Sequence, residues 1–336
     1  MIEVARRLAD EVLFPAAAAV DRADAVPIGH LDLLASTGLY GAQAPPSVGG
    51  ADLDLPAFGL VAEALAGGCL ATAFVWMQHH GLVRALAEPD APAGLRTDWL
   101  PGLAAGTCRA GAAYGGMLPG PARLRADPAP SGAWIVSGES PWATGWGLVD
   151  VLHVAARGPD DTLVWMIVDA VQRPGLTAHR ERVVAADAAS TVRLEFAGLP
   201  VPASRVIGVA PYRPPGATGA AVRANGSLAL GLAGRCTALM AGTDAAEELS
   251  AERDACRRTL DDAVRSADPL AMPTARAAAC ELAVRSAAAL AVHTGSGSAL
   301  AGSQPDRLTR EALFLLVFGS RPQIRTALLD RLAGLG

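Results

Sequence analysis

The first third of the chain carries hydrophobic residues at helical spacing. An apolar stripe over residues 2–13 stops before a proline, and a second stripe over residues 28–37 stops at a glycine. Residues 58–86 are rich in Ala and Leu and are apolar on nearly all sides, which predicts one or two buried helices. These patterns together predict an N-terminal α-helical domain over residues 1–106.

Near Thr107 the pattern changes to short runs of alternating or clustered hydrophobic residues, separated by Pro, Gly and Asp. Runs of this kind are typical of β-strands bounded by turns. The predicted strands cover residues 107–114, 122–126, 134–137, 149–156, 163–168 and 191–196. They predict a middle antiparallel β domain over residues 107–213.

Helical spacing returns in the last third of the chain and predicts a C-terminal four-helix-bundle-like domain over residues 214–336. The first three helical segments are rich in Ala and Leu and place Arg, Asp and Glu on one side, as expected for antiparallel helices that share a core. The predicted segments are residues 222–240, 245–264, 273–291 and 308–332. The chain as a whole is therefore predicted to have an α+β fold.

One stretch, residues 134–156, has the pattern of two apolar strands with an interrupted turn between them. Pro141 breaks the first strand, and Trp142 and Thr144 follow in a polar insert that ends at Gly145. An aromatic plane next to a hydroxyl suits a flat heteroaromatic ring that has an acceptor nitrogen at its edge. A hairpin whose Trp covers a core explains the same pattern, so both interpretations stay open at this point.

Composition excludes several classes of function. The formal net charge is −5 and every basic residue is Arg, scattered along the chain, so no basic surface is expected for nucleic acid. The apolar runs are interrupted by charge or Gly well short of a bilayer span, and the N-terminus lacks the order of a signal peptide, so we expect a cytoplasmic protein. The five Cys and six His lack the spacing of metal ligands, and we expect no metal site.

Residues 142–144 resemble a motif of the acyl-CoA dehydrogenase family, in which a Trp, an Ile and a Ser or Thr precede a glycine-containing turn and an apolar strand. Ala143 takes the place of the usual Ile. The order of Pro, Gly and acidic residues over 15–66, and the sequence over 201–208, are similar to the same family. The resemblance implies that FAD is the cofactor, that Trp142 lies against its isoalloxazine ring, and that Thr144 hydrogen-bonds near its reactive nitrogen. Ala143, between them, is implied to contact FAD as well.

Other segments resemble parts of the family that lie near the cofactor. Tyr114 and Gly115 begin a loop that keeps the family's turn but lacks its hydrogen-bonding side chains. Gly295 and Gly297 belong to a Gly-rich segment, and Gln323 belongs to the family's terminal Gln-Ile motif. The resemblance implies that these five residues also contact FAD. The glycines suit that role because Gly lets a backbone approach a phosphate closely.

The carboxylate base of the family's dehydrogenases is missing from its usual place. The resemblance implies a Glu, four residues before the Gln-Ile motif, that removes an α proton from an acyl thioester while a hydride goes to the flavin. That position is Gly319. Some relatives carry the Glu on the first C-terminal helix, and the matching position here lies near Ala221, which is also apolar. Glu311 matches a structural acid of the family, and we expect it to form a salt bridge within its helix.

The resemblance leaves three functions open. The first is α,β-dehydrogenation of an acyl-CoA thioester by a homodimer or homotetramer of this chain, with a base that the sequence does not reveal. The second is a base-lacking subunit of a heteromeric acyl-CoA dehydrogenase, assembled with a Glu-bearing paralogue. The third is a flavin monooxygenase on the same fold, which needs no α-proton base. The family's Arg-x-x-Phe-Gly stretch has no counterpart between residues 241 and 266, which together with Gly319 favours the second or the third, whereas Trp142 and Thr144 favour retained flavin.

Overall fold

Helices, a β-sheet and further helices follow one another in the order that the hydrophobic pattern predicts. The computed structural model describes residues 1–214, 216 and 219–334. Five residues of the predicted C-terminal domain lie outside the described residues: Pro215, Ala217, Thr218, Leu335 and Gly336. The predicted divisions after residues 106 and 213 fall in the connections between helix and sheet.

The helices of the described residues fall into two groups. The group before the sheet contains α1 (Ile2–Leu8), α2 (Phe14–Asp21), α3 (Ile28–Ser36), α4 (Leu55–Gly68), α5 (Leu70–Ala87) and α6 (Ala93–Ala105), with a π-helical turn (Ala9–Leu13) between the first two. The group after the sheet contains α7 (Ala220–Leu239), α8 (Asp244–Arg265), α9 (Ala271–Thr294), α10 (Gln304–Val317) and α11 (Pro322–Leu332). None of these helices combines the length and the apolar character needed to cross a membrane.

The all-round apolar pattern of residues 58–86 corresponds to two helices, α4 and α5, as predicted. Asp54 begins α4, because its carboxylate accepts a hydrogen bond from the backbone N–H of Ala57 at 2.8 Å. Helix α4 is buried on several sides because it packs against α7 from the other end of the chain. At Gly231 of α7 a Cβ would collide with the carbonyl oxygen of Glu63, so this close approach requires glycine. The two helical groups therefore share one core.

The sheet of the described residues contains β1 (Ala110–Ala113), β2 (Leu124–Pro128), β3 (Trp134–Ala143), β4 (Val151–Arg157), β5 (Thr162–Asp169), β6 (Leu176–Arg180), β7 (Val192–Val201) and β8 (Val206–Pro211). The order is β6-β7-β3-β2-β4-β5-β8, and β1 pairs with β4 off this path. Most neighbours are antiparallel, as predicted, but β1 runs parallel to β4 and β2 meets β4 through one parallel bridge. Strands β6 and β8 were not among the predicted strands.

The prediction of a hairpin over residues 134–156 is wrong. Strand β3 pairs with β2 and β7, and β4 pairs with β1, β2 and β5, so the two strands are not hydrogen-bonded to each other. The predicted break at Pro141 is confirmed as a break in the ladder: the register between β3 and β7 shifts between Ser140 and Ala143. Proline has no N–H to donate, so the residues of this bulge are free to leave the plane of the sheet.

The predicted helix over residues 308–332 consists of two helices, α10 and α11. The loop between them, residues 318–321, contains Gly319 in the left-handed region at φ +60°. Glycine adopts this conformation without a steric penalty, and Pro322 then begins α11 in its first turn. The family's base position therefore lies on a sharp turn between two helices.

Candidate functional site

Trp142 projects from the end of β3 in an unusual conformation. Its side chain is 66% exposed, although most Trp residues are largely buried. Its backbone lies in the left-handed region at φ +62°, which is uncommon for a residue other than glycine. The bulge at Pro141 thus turns a large aromatic plane outward instead of into the core.

A second strained segment lies beside this tryptophan. Gly145 donates its N–H to the carbonyl oxygen of Ala189 at 2.8 Å, and Trp146 donates to that of Ser190 at 3.2 Å. Ser190 and Ala186 both have φ +54°. Strained backbone tends to concentrate at functional sites, and half of the six non-glycine residues with positive φ in the described chain lie here.

Ala143 and Thr144, which follow the exposed Trp142 in sequence, are both buried. Ala143 is buried and pairs with Val192 of β7, so the next residue after the outward Trp turns back into the sheet. Thr144 is 4% exposed, so its side chain is sheltered from solvent. An aromatic plane with a sheltered hydroxyl two residues further along the chain can hold the edge and one face of a flat ring.

One turn of α5 joins this segment to the loop that contains Gly319. The ring of Phe74 packs edge-on against that of Phe318, with centroids 4.5 Å apart. The adjacent residue, Val75, has its Cγ1 atom 3.5 Å from the point where a Cβ would stand on Gly145. Residues 142–145 and the 318–321 loop therefore flank the same turn of α5, although more than 170 residues of chain separate them.

Asn225 of α7 occupies the space in front of the family's base position. Its Nδ2 atom lies 2.8 Å from the point where a Cβ would stand on Gly319. Apart from residues adjacent to Gly319 in sequence, no other described residue comes within 4 Å of that point. Asn225 is not among the predicted site residues, although it lies one helical turn after Ala221, the alternative base position. The side chain beside the base position is therefore a carboxamide, not a carboxylate.

Glu311 forms the salt bridge that the sequence predicts. Both of its oxygens accept hydrogen bonds from Nη1 of Arg307, at 2.8 and 2.9 Å, and both side chains are buried. Burial raises the pKa of the Glu311 carboxyl, while the guanidinium of Arg307 opposes that shift. A carboxylate held by two hydrogen bonds inside a helix bundle is a structural group and not a proton acceptor for a ligand.

The side chain of Tyr114 and the backbone of Gly115, both predicted to contact the cofactor, lie in different surroundings. The hydroxyl of Tyr114 lies 3.0 Å from Nδ1 of His153, and its ring packs against Trp165, so this side chain lies in the protein interior. Burial raises the pKa of Tyr114 to about 12. Gly115 instead lies beside β3, where its N–H donates to Oγ of Ser140 at 3.0 Å. Only the backbone at this position is near the segment that carries Trp142.

Gly295 and Gly297 lie at the opposite end of the C-terminal helices from Gln323. The guanidinium of Arg276, in the first turns of α9, donates to the carbonyl oxygen of Leu315, in the last turn of α10, so these two helices are antiparallel. Gly295 ends α9, whereas Gln323 is in the first turn of α11 beyond the other end of α10. With about 1.5 Å of rise per residue, the length of α10 separates the two positions by roughly 20 Å. They do not belong to one compact contact surface within the chain.

Comparison with known proteins connects this geometry to a family. The sequence model described as "Acyl-CoA dehydrogenase, N-terminal domain" matches residues 1–107. The chain is 28% identical over 188 residues to benzylmalonyl-CoA dehydrogenase of Aromatoleum aromaticum, a match that covers 52% of this chain and 47% of that protein. The chain spans about half the length of the curated relatives that it matches.

Solved structures with the same fold cover nearly the whole chain. The glutaryl-coenzyme A dehydrogenase glutaryl-CoA complex superimposes with a TM-score of 0.80 at 17% identity, covering 100% of this chain and 94% of that one. The FAD complex of PigA gives a TM-score of 0.79 at 19% identity, with coverage of 99% and 96%. Dibenzothiophene monooxygenase from Paenibacillus sp. A11-2 gives 0.79 at 15% identity, with coverage of 99% and 97%. At these identities the similarity shows the fold, which is shared by proteins of different activities.

Proposed function

We propose that this chain is a flavin-dependent oxidoreductase of the acyl-CoA dehydrogenase family that binds FAD and acts on an acyl-CoA thioester, since its first 107 residues match the family's N-terminal domain and its fold is the same. The observation that carries the proposal is the outward indole of Trp142, held on a left-handed backbone beside the sheltered Thr144. A large apolar plane exposed on a strained backbone is unfavourable in water, and a flat ligand that covers it would remove that cost.

The described residues fit the ring of a flavin. Trp142 would cover one face of the isoalloxazine, Thr144 would hydrogen-bond at its edge, and the backbone at Gly115 lies beside the same strand. FAD, when bound, supplies the acceptor for a hydride from the substrate. Phe74 of α5 and Phe318, the first residue of the 318–321 loop, form an apolar pair beside Gly319, which suits an acyl chain. The side chain of Tyr114 is not part of this proposal because it points into the core.

A second candidate function is favoured by Gly319 and Asn225. A carboxamide accepts and donates hydrogen bonds but does not take up a proton near neutral pH, so Asn225 cannot replace the Glu that removes the α proton. On this basis the chain would be the base-lacking subunit of a heteromeric acyl-CoA dehydrogenase, working with a Glu-bearing paralogue. A homodimer or homotetramer that dehydrogenates an acyl-CoA would need a base from another position. The position of Gly295 and Gly297, far from Gln323, fits contact with the far part of a long cofactor or with the cofactor of a neighbouring subunit.

The first experiment measures the flavin. The protein is purified alone with added FAD, and the flavin-to-protein ratio is read from its visible spectrum. We expect near-stoichiometric FAD for the natural chain and a lower ratio for Trp142→Ala. Val209→Ala is the control because it also removes an exposed apolar side chain, on β8, away from the tryptophan. Equal occupancy in the Trp142→Ala variant would remove this tryptophan from the proposed site.

The second experiment separates the open activities. FAD-loaded protein is mixed without oxygen with butyryl-CoA, and the loss of flavin absorbance is followed. Loss of absorbance by the chain alone supports dehydrogenation by this chain, and loss only after co-expression with a Glu-bearing paralogue supports the heteromer. If neither occurs but chemically reduced protein consumes oxygen and oxygenates a substrate, the monooxygenase alternative takes the place of both.

A further inference from the structure

Two arginines in and beside the 318–321 loop, Arg321 and Arg276, have no carboxylate partner among the described residues. Arg276 is 2% exposed, donates to the carbonyl oxygen of Leu315 at 3.2 Å and contacts Sγ of Cys280. Among the described residues neither Arg276 nor Arg321 forms a salt bridge with a carboxylate, in contrast to many other arginines of the chain. The carbonyl end of α10 offsets part of the buried charge of Arg276. Burial also lowers the pKa of Arg276 to about 10, because the charged form is poorly solvated there.

The loop itself presents hydrogen-bond donors without partners. Oγ of Ser320 and Nε of Arg321 are both buried and have no hydrogen-bond partner among the described residues. Consecutive Cα atoms are about 3.8 Å apart, so both residues lie within about 8 Å of Gly319 along the backbone. Nδ2 of Asn225 reaches the same glycine from the facing helix. Beside the family's base position the chain therefore carries an amide, and the next two residues of the loop add a hydroxyl and a guanidinium.

We propose that the acyl group received at the 318–321 loop carries an oxyanion of its own, such as a carboxylate, and that Asn225, Ser320 and Arg321 bind it. Buried donors and an unpaired guanidinium are unfavourable until an anion satisfies them, and an anion gains more from them than a neutral group does. This inference rests on the proposed function, since it assigns the class of acyl thioester that the same site accepts.

The phosphates of coenzyme A offer the same chemistry, and matched ligands distinguish the two sources. Malonyl-CoA and isovaleryl-CoA have acyl groups of the same shape, one charged and one neutral, and glutaryl-CoA and 5-methylhexanoyl-CoA form a longer pair. Isothermal titration calorimetry measures the dissociation constant of each thioester with the FAD-supplemented protein. We expect the charged member of at least one pair to bind tenfold or more tightly than its neutral partner. Equal binding within both pairs would overturn the inference.

Variants identify the residues responsible. Arg321→Gln and Asn225→Asp should each reduce the preference for the charged member about tenfold, because the first removes a cation and the second adds a repelling carboxylate. Arg325→Gln, an exposed position one turn further along α11, is the charge-matched control and should leave the preference unchanged. If Arg321→Gln weakens both members equally, the loop binds coenzyme A phosphate and the inference is wrong. If Arg325→Gln has the same effect as Arg321→Gln, the preference comes from general charge and the inference is also wrong.

Calorimetry does not depend on the flavin signal, so the proposed FAD binding and the proposed anion site are tested independently of each other. A protein that binds no FAD but still prefers the charged thioester would contradict the proposed cofactor and support the anion site. A protein that binds FAD with no preference in either pair would retain the proposed function and lose this inference.

Discussion

Replacing Gly319 by Glu tests whether the missing base can be restored by one substitution. The backbone there has φ +60°, and a side chain in the left-handed region costs roughly 1–2 kcal/mol for a residue other than glycine. The new Cβ would stand 2.8 Å from Nδ2 of Asn225, so that side chain must rotate, at a cost of about 0.5–1.5 kcal/mol if it leaves its preferred rotamer. We therefore expect Gly319→Glu to be destabilising and not to gain the ability to bleach its flavin with butyryl-CoA.

The expected change in melting temperature follows from the size of the chain. At about 2.1 cal/mol/K per residue, a protein of 336 residues has an unfolding entropy of about 0.7 kcal/mol/K. The backbone strain alone then lowers Tm by roughly 1.5–3 °C, and the displacement of Asn225 adds about 1–2 °C. Differential scanning calorimetry under fixed FAD concentration measures the shift, since ligand binding also changes Tm.

Two alanine variants separate the contributions. Gly38→Ala introduces a Cβ at φ +77° with no atom within 4 Å, so it reports the strain of the backbone alone. Gly319→Ala should lower Tm further than Gly38→Ala, because its Cβ also displaces Asn225. The double variant Gly319→Ala/Asn225→Ala should therefore show only the Tm loss of Gly38→Ala. An unchanged Tm in Gly319→Ala would refute the reasoning, because the loop would then accept a side chain freely.

Three further outcomes follow from buried polar groups. Glu311→Gln leaves the guanidinium of Arg307 without its carboxylate, so the free energy of unfolding should fall by about 3–5 kcal/mol, measured by denaturant titration. Burial lowers the pKa of His79 and His153 to about 3 from an ordinary value of 6.5. The unfolded chain binds these protons at a higher pH than the folded chain, so the stabilising contribution of each His is complete above pH 6.5 and is lost as the pH falls towards 3, by about 1.4 kcal/mol per pH unit. In His153→Phe the free energy of unfolding, measured by denaturant titration from pH 6.5 to 3, should fall less steeply by about that amount per pH unit. Tyr114→Phe should destabilise the protein by about 1–3 kcal/mol because His153 loses its hydrogen-bond partner, and it should leave the flavin-to-protein ratio unchanged. A lower ratio would show that the Tyr114 side chain contacts the flavin.

Local pattern was sufficient for most of the helices and strands of this fold but not for which strands pair. The apolar residues of α4 and α5 and the alternation in β4 are visible in the sequence because each reflects the burial of its own faces. The pairing of β3 with β7 joins residues far apart in the chain, and alternation alone does not specify which strands become neighbours. The adjacent strands β3 and β4 therefore suggested a hairpin that does not form.

The candidate site shows the same limit. Trp142 and Thr144 were identifiable because Pro141 interrupts an apolar run next to them, and a local break in pattern is a local signal. Asn225 gave no such signal, since a single polar residue in an Ala-rich helix is usually solvated. Its role depends on how α7 faces the 318–321 loop, which is decided by packing and not by spacing.

The pairing of β3 also determines when the site can form during synthesis. The ribosome releases the residues of β3 about 60 residues before those of β7, and the bulge that orients Trp142 exists only against that partner. The 318–321 loop is made later still, close to the end of the described chain. The growing polypeptide therefore has no complete candidate site until β3, β7 and the 318–321 loop have all been synthesised.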